Sequence, residues 1–352
     1  MNTNRDWLKY PALGYSAARS LHYFLQFQVL SRATYALPFI RNSPPPLEKA
    51  ALQLLTEEIR KINEADALNI SQGYYPAAVL KPEPLFDHIK RLPILFWDGI
   101  RLNLRKKQKA TKAFSEEAQK NSEGLPEYYV RNFHFQTDGY LSEYSAELYE
   151  HQVELLFSGT ADAMRRLIIR PLKEALKKDL ESRSSRLRFL ELAGGTGRTT
   201  RFMSLAFDNS HFTVSDLSAS YLKLAQKKLS DLQNIDFVRA DATATDFKSE
   251  SFDVVFTVFL FHELPLEERE KVIQEARRLL KPGGYFAAVD SLQLDDHPQL
   301  NQFLLDFPKQ FHEPFYTNYI KNPVAPILEG GGFQMVETGT GFLSRYWLAQ
   351  KK

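Results

Sequence analysis

The sequence predicts an α/β protein, in which a mostly parallel sheet covered by helices follows an all-helical segment. Three observations predict it. From residue 188 onward, short apolar runs alternate with amphipathic runs, the pattern of strand and crossover helix. Within Phe189–Asp216, a strand enters a glycine-rich turn, a helical run follows, and a second strand ends in a carboxylate. Finally, the chain ends in two apolar runs, 334–337 and 345–349, with no helical run between them, as a terminal β-hairpin would read.

The elements follow in chain order. Residues 7–47 contain no Asp or Glu but carry Lys9, Arg19, Arg32 and Arg41, with Leu21, Phe24, Leu25, Phe27 and Leu30 at roughly helical spacing. A helix docked on the protein body is the first reading. A helix lying on a membrane surface through residues 7–41 and an acidic-poor targeting segment are the other two. Pro44-Pro45-Pro46 forms a stiff stop. Leu47–Ala67 is amphipathic, with Leu52, Leu55, Ile59 and Ile62 on one face. Pro84–Ala118 reads as helical but broken at Pro93, and its basic run from Arg101 to Lys112 reads as a solvated face, because no aromatic residues interleave with the charges. Asn121–Pro126 combines Ser, Gly and Pro and marks the expected boundary between a helical cap or substrate domain (1–125) and an α/β domain (126–352).

Past that boundary, Tyr128–Tyr140 is dense in aromatic and hydrogen-bonding groups, and 142–156 and 161–180 read as two helices. Strands are expected at 188–192, 211–215, 235–239, 253–258 and 284–289, with helices at 198–207, 218–231 and 266–280. The last helix has Glu267 and Glu268 in its first turn and Arg277, Arg278 and Lys281 at its end, matching the helix dipole, and Pro282-Gly283-Gly284 stops it.

Composition narrows the function. A formal net charge of +2 over 352 residues gives no global attraction to nucleic acid. With no cysteine, disulfides, thiolate metal sites and cysteine nucleophiles are excluded, and a reducing, cytoplasmic setting is the expectation. No apolar run reaches the length of a membrane span. Aromatic residues at 13% would suit a pocket for a flat or greasy ligand, although a denser core explains the same figure.

The turn at 194–200 discriminates among nucleotides. From Gly195 it reads Gly-Thr-Gly-Arg-Thr-Thr, so the third glycine of a dinucleotide fingerprint is missing, and no Gly-Lys-Ser/Thr follows as a phosphate loop needs. Glu191 sits just before the turn, where a carboxylate repels phosphate and attracts an amino group.

Glu191-Leu192-Ala193-Gly194-Gly195-Thr196-Gly197 resembles the first motif of class I S-adenosylmethionine-dependent methyltransferases. Later blocks match in order: Asp216 at the end of the second strand, Asp241 after the third, Ser251–Phe256, and Leu280–Gly284. The resemblance covers roughly 185–350. It implies a Rossmann-like seven-stranded, mostly parallel sheet with a reversed terminal strand, and S-adenosylmethionine as cofactor. It further implies cofactor contacts from Glu191, Ala193, Gly195, Gly197, Asp216, Leu217, Asp241 and Ala242, with Tyr140 or Tyr144 of the upstream aromatic segment either stacking on the cofactor or packing in the core. Ala193 departs from the usual glycine. Its methyl is small, and the expectation is a backbone with negative φ that tolerates it.

The same resemblance places the residues after the fourth strand opposite the transferred methyl. His262 is the candidate general base or acceptor-orienting group, with Glu263 as its partner, and His312, Tyr316 and Asp290 are candidates for the acceptor side. Asp295-Asp296-His297 is set aside as a metal site, since three adjacent residues rarely converge on one ion, and no metal is expected. The expected activity is in-line transfer of a methyl group to a small hydrophobic or aromatic acceptor, with no nucleic-acid partner. An RNA or protein methyltransferase and a non-catalytic cofactor-binding subunit are the alternatives.

Overall fold

The computed structural model describes residues 6–37, 40, 49–182 and 186–352. The triproline stop and Arg41 lie outside the described residues. The chain divides into two compact units, one comprising Met1–Gly73, Ala77–Ala163 and Gln310–His312, the other Tyr74–Pro76, Met164–Lys309 and Glu313–Lys352.

The first unit is helical: α1 (Lys9–Tyr35), α2 (Lys49–Ser71), α3 (Leu85–Gln108), α4 (Glu116–Asn121) and α5 (Glu143–Leu156). The inward side of α1 presents small residues, Ala12, Ser16 and Ser20, that permit close approach, and Asn63 of α2 donates to Ser20 Oγ at 3.1 Å. Tyr23, Leu95, Leu148 and Leu155 form a core shared by α1, α3 and α5. Arg19 is turned inward, 3.0 Å from Glu154 and 2.8 Å from Asp162, and also donates to the Gly159 carbonyl at 3.0 Å. The serines before α4 and α5, Ser115 and Ser142, accept hydrogen bonds from the third residue on, as N-caps do.

One expectation fails here. The helix is not broken at Pro93, because α3 runs straight through it to Gln108 and ends on Lys109 in the left-handed region. Proline removes the bond to the carbonyl four residues earlier, that of Ile89, but Ile89 and Pro93 are both exposed, so water can take that bond.

The second unit begins with α6 (Ala161–Arg165), which straddles the junction, then α7 (Ile169–Ala175) and α8 (Lys177–Ser182), where the sequence reads one long helix. It continues as β1 (Arg188–Leu192), α9 (Arg198–Ala206), β2 (His211–Asp216), α10 (Ala219–Lys228), β3 (Ile235–Arg239), β4 (Phe252–Val258), α11 (Leu266–Leu279) and β5 (Leu280–Ser291). Three short helices, α12 (Asn301–Gln310), α13 (Tyr316–Lys321) and α14 (Val324–Gly330), lead to the terminal hairpin, β6 (Phe333–Gly341) and β7 (Ser344–Lys351).

The seven strands lie in the order β3-β2-β1-β4-β5-β7-β6, with β7 antiparallel to both neighbours and the first five strands parallel. This is the Rossmann-like sheet with one reversed strand. The inner strands β1, β2 and β4 are buried on both faces, and β4 accordingly reads as a near-continuous apolar run. Pro282-Gly283-Gly284 does stop α11, but the backbone is already pairing: Leu280 sits opposite Phe252, and the turn is absorbed as a register shift before Val254 pairs with Tyr285. The strand order reverses between β1 and β4, and ligands of open α/β sheets bind beyond the carboxyl ends of the strands at such a point.

Candidate functional site

Five chain segments leave the sheet at that edge. After β1 the chain enters the glycine turn, where Gly194 and Gly197 have structural duties. A Cβ on Gly194 would stand 2.6 Å from Val214 Cγ1, and one on Gly197 (φ +75°) would stand 2.6 Å from Leu229 Cδ1, so both bring the loop close to its neighbours. Over Gly195 the nearest atom is Tyr221 Cδ1 at 4.0 Å, which leaves open space beside the loop.

Ala193 corrects an expectation. Its φ is +55°, in the left-handed region, not negative. The motif wants this conformation, which glycine adopts freely, and the alanine takes it under strain.

Glu191 is buried at the end of β1 and accepts a bond from the Thr200 hydroxyl of α9. Burial pushes its carboxyl up to about 8, partly opposed by the bonds from Thr200 and Thr199 and by the charge of Arg165. It is therefore mostly a neutral acid at pH 7, and an approaching cation would favour its ionised form. Asp216 ends β2 with each carboxylate oxygen fixed by one backbone N–H, Gly195 to Oδ2 and Ser218 to Oδ1, both at 2.7 Å. Burial raises its carboxyl to about 6. A carboxylate offers about four acceptor positions, so two bonds leave capacity for a diol. Ser218 also caps α10 through its hydroxyl, which accepts from the Tyr221 N–H at 3.2 Å. Leu217 is half-buried, and its carbonyl accepts from Arg239 at 3.1 Å. After β3, Asp241 Oδ1 accepts from the N–H and hydroxyl of Thr243 at 2.9 and 2.7 Å, beside half-buried Ala242.

Beyond β4, Phe259 has φ +59° while its N–H donates to the Val289 carbonyl at 2.8 Å, a second strained residue at the carboxyl edge. His262 follows in a short 3-10 turn. Its hydrogen-bond partner is Asp290 at the end of β5, 2.6 Å from Nδ1, while Glu263 Oε1 lies 3.7 Å from Nε2. Asp290 also accepts from the Phe261 and Ser291 N–H groups at 2.6 and 2.7 Å, which fixes the carboxylate that holds the imidazole. Burial alone would lower the imidazole, but Asp290, Glu263 and Glu313 outweigh it and raise it to about 9. The Tyr316 and Tyr319 rings pack edge-on to His262 at 6.1 and 6.2 Å, and the Tyr316 hydroxyl lies 2.7 Å from Ser291 Oγ.

The second unit thus holds Glu191, Ala193, Gly195, Gly197, Asp216, Leu217, Asp241 and Ala242 along one sheet edge, with His262, Glu263, Asp290 and Tyr316 beyond β4 and β5. Tyr140 and His312 belong to the helical unit. There Tyr140 stacks on Phe133 at 5.4 Å with its hydroxyl 3.3 Å from His134 Nε2, and the His312 carbonyl accepts the His134 N–H at 3.0 Å. Of Asp295, Asp296 and His297, both carboxylates are engaged structurally, Asp295 with Asn301 at 3.0 Å and Asp296 with the Gln293 N–H at 2.7 Å. The sequence alone does not single out Thr200, Ser218 and Thr243. Their only signal is a hydroxyl residue within a few positions of each acidic residue or at a helix start.

The comparisons with known proteins fit this geometry. Residues 189–284 match the family model described as Methyltransferase domain. Among curated proteins, the chain is similar to the Ubiquinone/menaquinone biosynthesis C-methyltransferase UbiE of Shewanella sediminis (strain HAW-EB3), 34% identical over 30% of this chain and 43% of that protein. It is similar to the Probable phthiotriol/phenolphthiotriol dimycocerosates methyltransferase 2 of Mycobacterium ulcerans (strain Agy99), 35% identical over 29% of this chain and 39% of that one. It is similar as well to the Demethylmenaquinone methyltransferase of Clavibacter sepedonicus, 37% identical over 28% of this chain and 38% of that one. The chain spans less than half the length of these relatives. Strand order, glycine turn, acidic residues and matched model agree: this chain carries a methyltransferase domain of the class I, S-adenosylmethionine-dependent family.

Proposed function

We propose that the protein transfers a methyl group from S-adenosylmethionine to a small, hydrophobic or aromatic acceptor. The observation that carries this is Asp216, a buried carboxylate immobilised by two backbone N–H groups at the switch-point edge with acceptor capacity left over. The residues fit the cofactor's chemistry. Asp216 accepts the ribose hydroxyls, Asp241 receives the adenine amine, Gly195 leaves room beside the loop, and Glu191 answers positive charge without presenting a fixed anion beforehand. S-adenosylmethionine supplies a methyl on a sulfonium that leaves by in-line displacement, accelerated by positioning and exclusion of water.

On the acceptor side, His262 is held by Asp290 as an imidazolium at neutral pH. It donates a hydrogen bond or stabilises negative charge on an acceptor such as a phenolate, in place of the general-base role open to a neutral imidazole. Relatives named for quinone biosynthesis and for C-methylation support a hydrophobic small-molecule acceptor. In this proposal the helical segment 1–125 serves substrate binding, and Tyr316 of the sheet unit is an acceptor-side residue.

Calorimetry with S-adenosylhomocysteine tests the donor site. Wild type should bind, and Asp216→Ala should weaken binding roughly a hundredfold, as loss of two hydrogen bonds to a charged group implies. Unchanged affinity would remove Asp216 from the site. A labelled-methyl transfer assay on a metabolite extract, treated with RNase or protease in parallel, tests the acceptor class. Label in an organic-extractable small molecule supports the proposal, and label lost on RNase or protease treatment assigns the activity to RNA or protein.

A further inference from the structure

The outward faces of α1 and α3 carry a surface that the methyl-transfer reading does not use. On α1, Leu21, Leu25 and Val29 recur at helical spacing and are 58%, 53% and 66% exposed, on the side opposite Ala12, Ser16, Ser20 and Tyr23. On α3, Phe86, Ile89 and Trp97 form a matching stripe, 65%, 54% and 61% exposed, continued by exposed Pro93. The two helices share one core through Tyr23 and Leu95, so both stripes belong to one unit. At the start of α1, Trp7 and Tyr10 are also largely exposed. Monomeric proteins rarely present apolar positions in continuous rows, and such rows mark interaction sites.

The charges around these stripes select the partner. Helix α1 contains no Asp or Glu at all, and its exposed Arg32 lies within the stripe. Exposed Lys90 and Arg101 flank the stripe on α3, with the Lys90 ammonium 4.1 Å from the centre of the Phe86 ring. The carboxylates of α3 are turned away: Asp98 is buried and hydrogen-bonded to Gln152 at 2.7 Å, and Asp87 is half-buried. Arg19, whose charge is already spent on Glu154 and Asp162, takes no part. Apolar side chains interleaved with cations, with no fully exposed carboxylate on α1 or α3 and Asp6 before α1 as the one exposed acid beside Trp7, match the interface of an anionic lipid bilayer, where the apolar face enters the acyl boundary and cations meet headgroup phosphates. No helix among the described residues is long and apolar enough to cross a membrane, so the contact is peripheral.

We propose that α1 and α3 dock the protein on the surface of an anionic lipid membrane. This inference does not depend on the methyl acceptor. The test uses the full chain and sedimentable vesicles of phosphatidylcholine with or without phosphatidylglycerol. The protein should sediment with the phosphatidylglycerol vesicles, much less with phosphatidylcholine alone, and less as salt is raised. The variant pair Leu25→Glu with Val29→Glu, and separately Ile89→Glu, should lower partitioning roughly tenfold or more. Lys90→Glu with Arg101→Glu should abolish the preference for phosphatidylglycerol. All these side chains are exposed, so thermal melting should match wild type and exclude misfolding as the cause. Equal sedimentation with both vesicle types, or full partitioning by the apolar variants, overturns the proposal. So does a dimer in solution that Leu25→Glu with Val29→Glu converts to monomer without any vesicle binding, since the face would then belong to a second copy of the chain.

Discussion

At Ala193, a left-handed φ of +55° strains an L side chain by about 1–2 kcal/mol. Glycine would remove that strain and return about 0.5–1 kcal/mol as extra entropy of the unfolded chain. Ala193→Gly should therefore stabilise the protein by up to about 1 kcal/mol, read as a rise in the denaturation midpoint at unchanged slope. A lower midpoint would mean that the alanine sits without strain. His262 gives a second residue-scale prediction through its proton. With its imidazole raised to about 9 by Asp290, a cationic role requires kcat/KM to fall as pH rises through about 9. A role as base requires the opposite, a rise through the same pH. Asp290→Asn removes the charge that raises the imidazole, so the falling limb should move toward neutral pH, a shift that a purely structural role for Asp290 would not produce. The sequence points to both residues but pairs His262 with its neighbour Glu263. The true partner is 28 positions away, brought in by the parallel pairing of β4 and β5, which spacing alone does not reveal.

The elements show why some parts of the fold are legible in the sequence and others are not. Strand β1 begins and ends where its pattern does, because a buried parallel strand is bounded by the turn chemistry on either side, and β3, a mostly exposed edge strand, also keeps the bounds that its sequence suggests. The glycine turn, α9 and α10 are legible because their turn and cap residues are local in the chain, with Ser218 capping α10 two residues after Asp216. Pro93 misleads because proline's cost depends on what becomes of one carbonyl, and exposure decides that. Pro282-Gly283-Gly284 reads only as a helix stop, and the pairing of Leu280 with Phe252 ahead of it is set by a strand 28 positions upstream. The segment from α6 to α8 reads as one helical pattern but folds as short pieces with a 3-10 turn at Arg166–Ile168. Periodicity reports which face is buried. It does not report whether the backbone stays continuous.

At the scale of the whole molecule, buried titratable groups give the two units opposite responses to pH. In the helical unit, Tyr23, His88 and His151 of α1, α3 and α5 pack ring against ring, with the His88 and His151 centroids 4.7 Å apart. Burial drives His151 down to about 3 and also lowers His88, with Arg91, His22 and Arg19 adding to burial and Glu83 opposing it. A histidine with a depressed folded pKa stabilises at pH above its ordinary value of about 6.5, and that stability is lost as pH falls below it. The sheet unit behaves in reverse. Glu191 is raised to about 8 and Asp216 to about 6 by burial, and His262 to about 9 by Asp290. Groups with raised folded pKa values lose their contribution as pH rises, so this unit weakens from mildly acidic conditions to pH 9. Between the unfolded and folded pKa values of one group, each tenfold drop in proton concentration changes stability by about 1.4 kcal/mol, so Glu191 alone should cost the ligand-free sheet unit roughly 2–3 kcal/mol between pH 6 and 8.5. Hydrogen exchange, corrected for intrinsic rates, should show α1, α3 and α5 losing protection as pH falls below 6.5 while β1, β4 and β5 gain it. Glu191→Gln should flatten the alkaline loss in the sheet unit, and His151→Asn the acid loss in the helical unit. S-adenosylhomocysteine, which retains the amino acid ammonium, should suppress the alkaline loss in wild type by stabilising ionised Glu191. If protection in both units moves together with pH, these buried groups do not govern it.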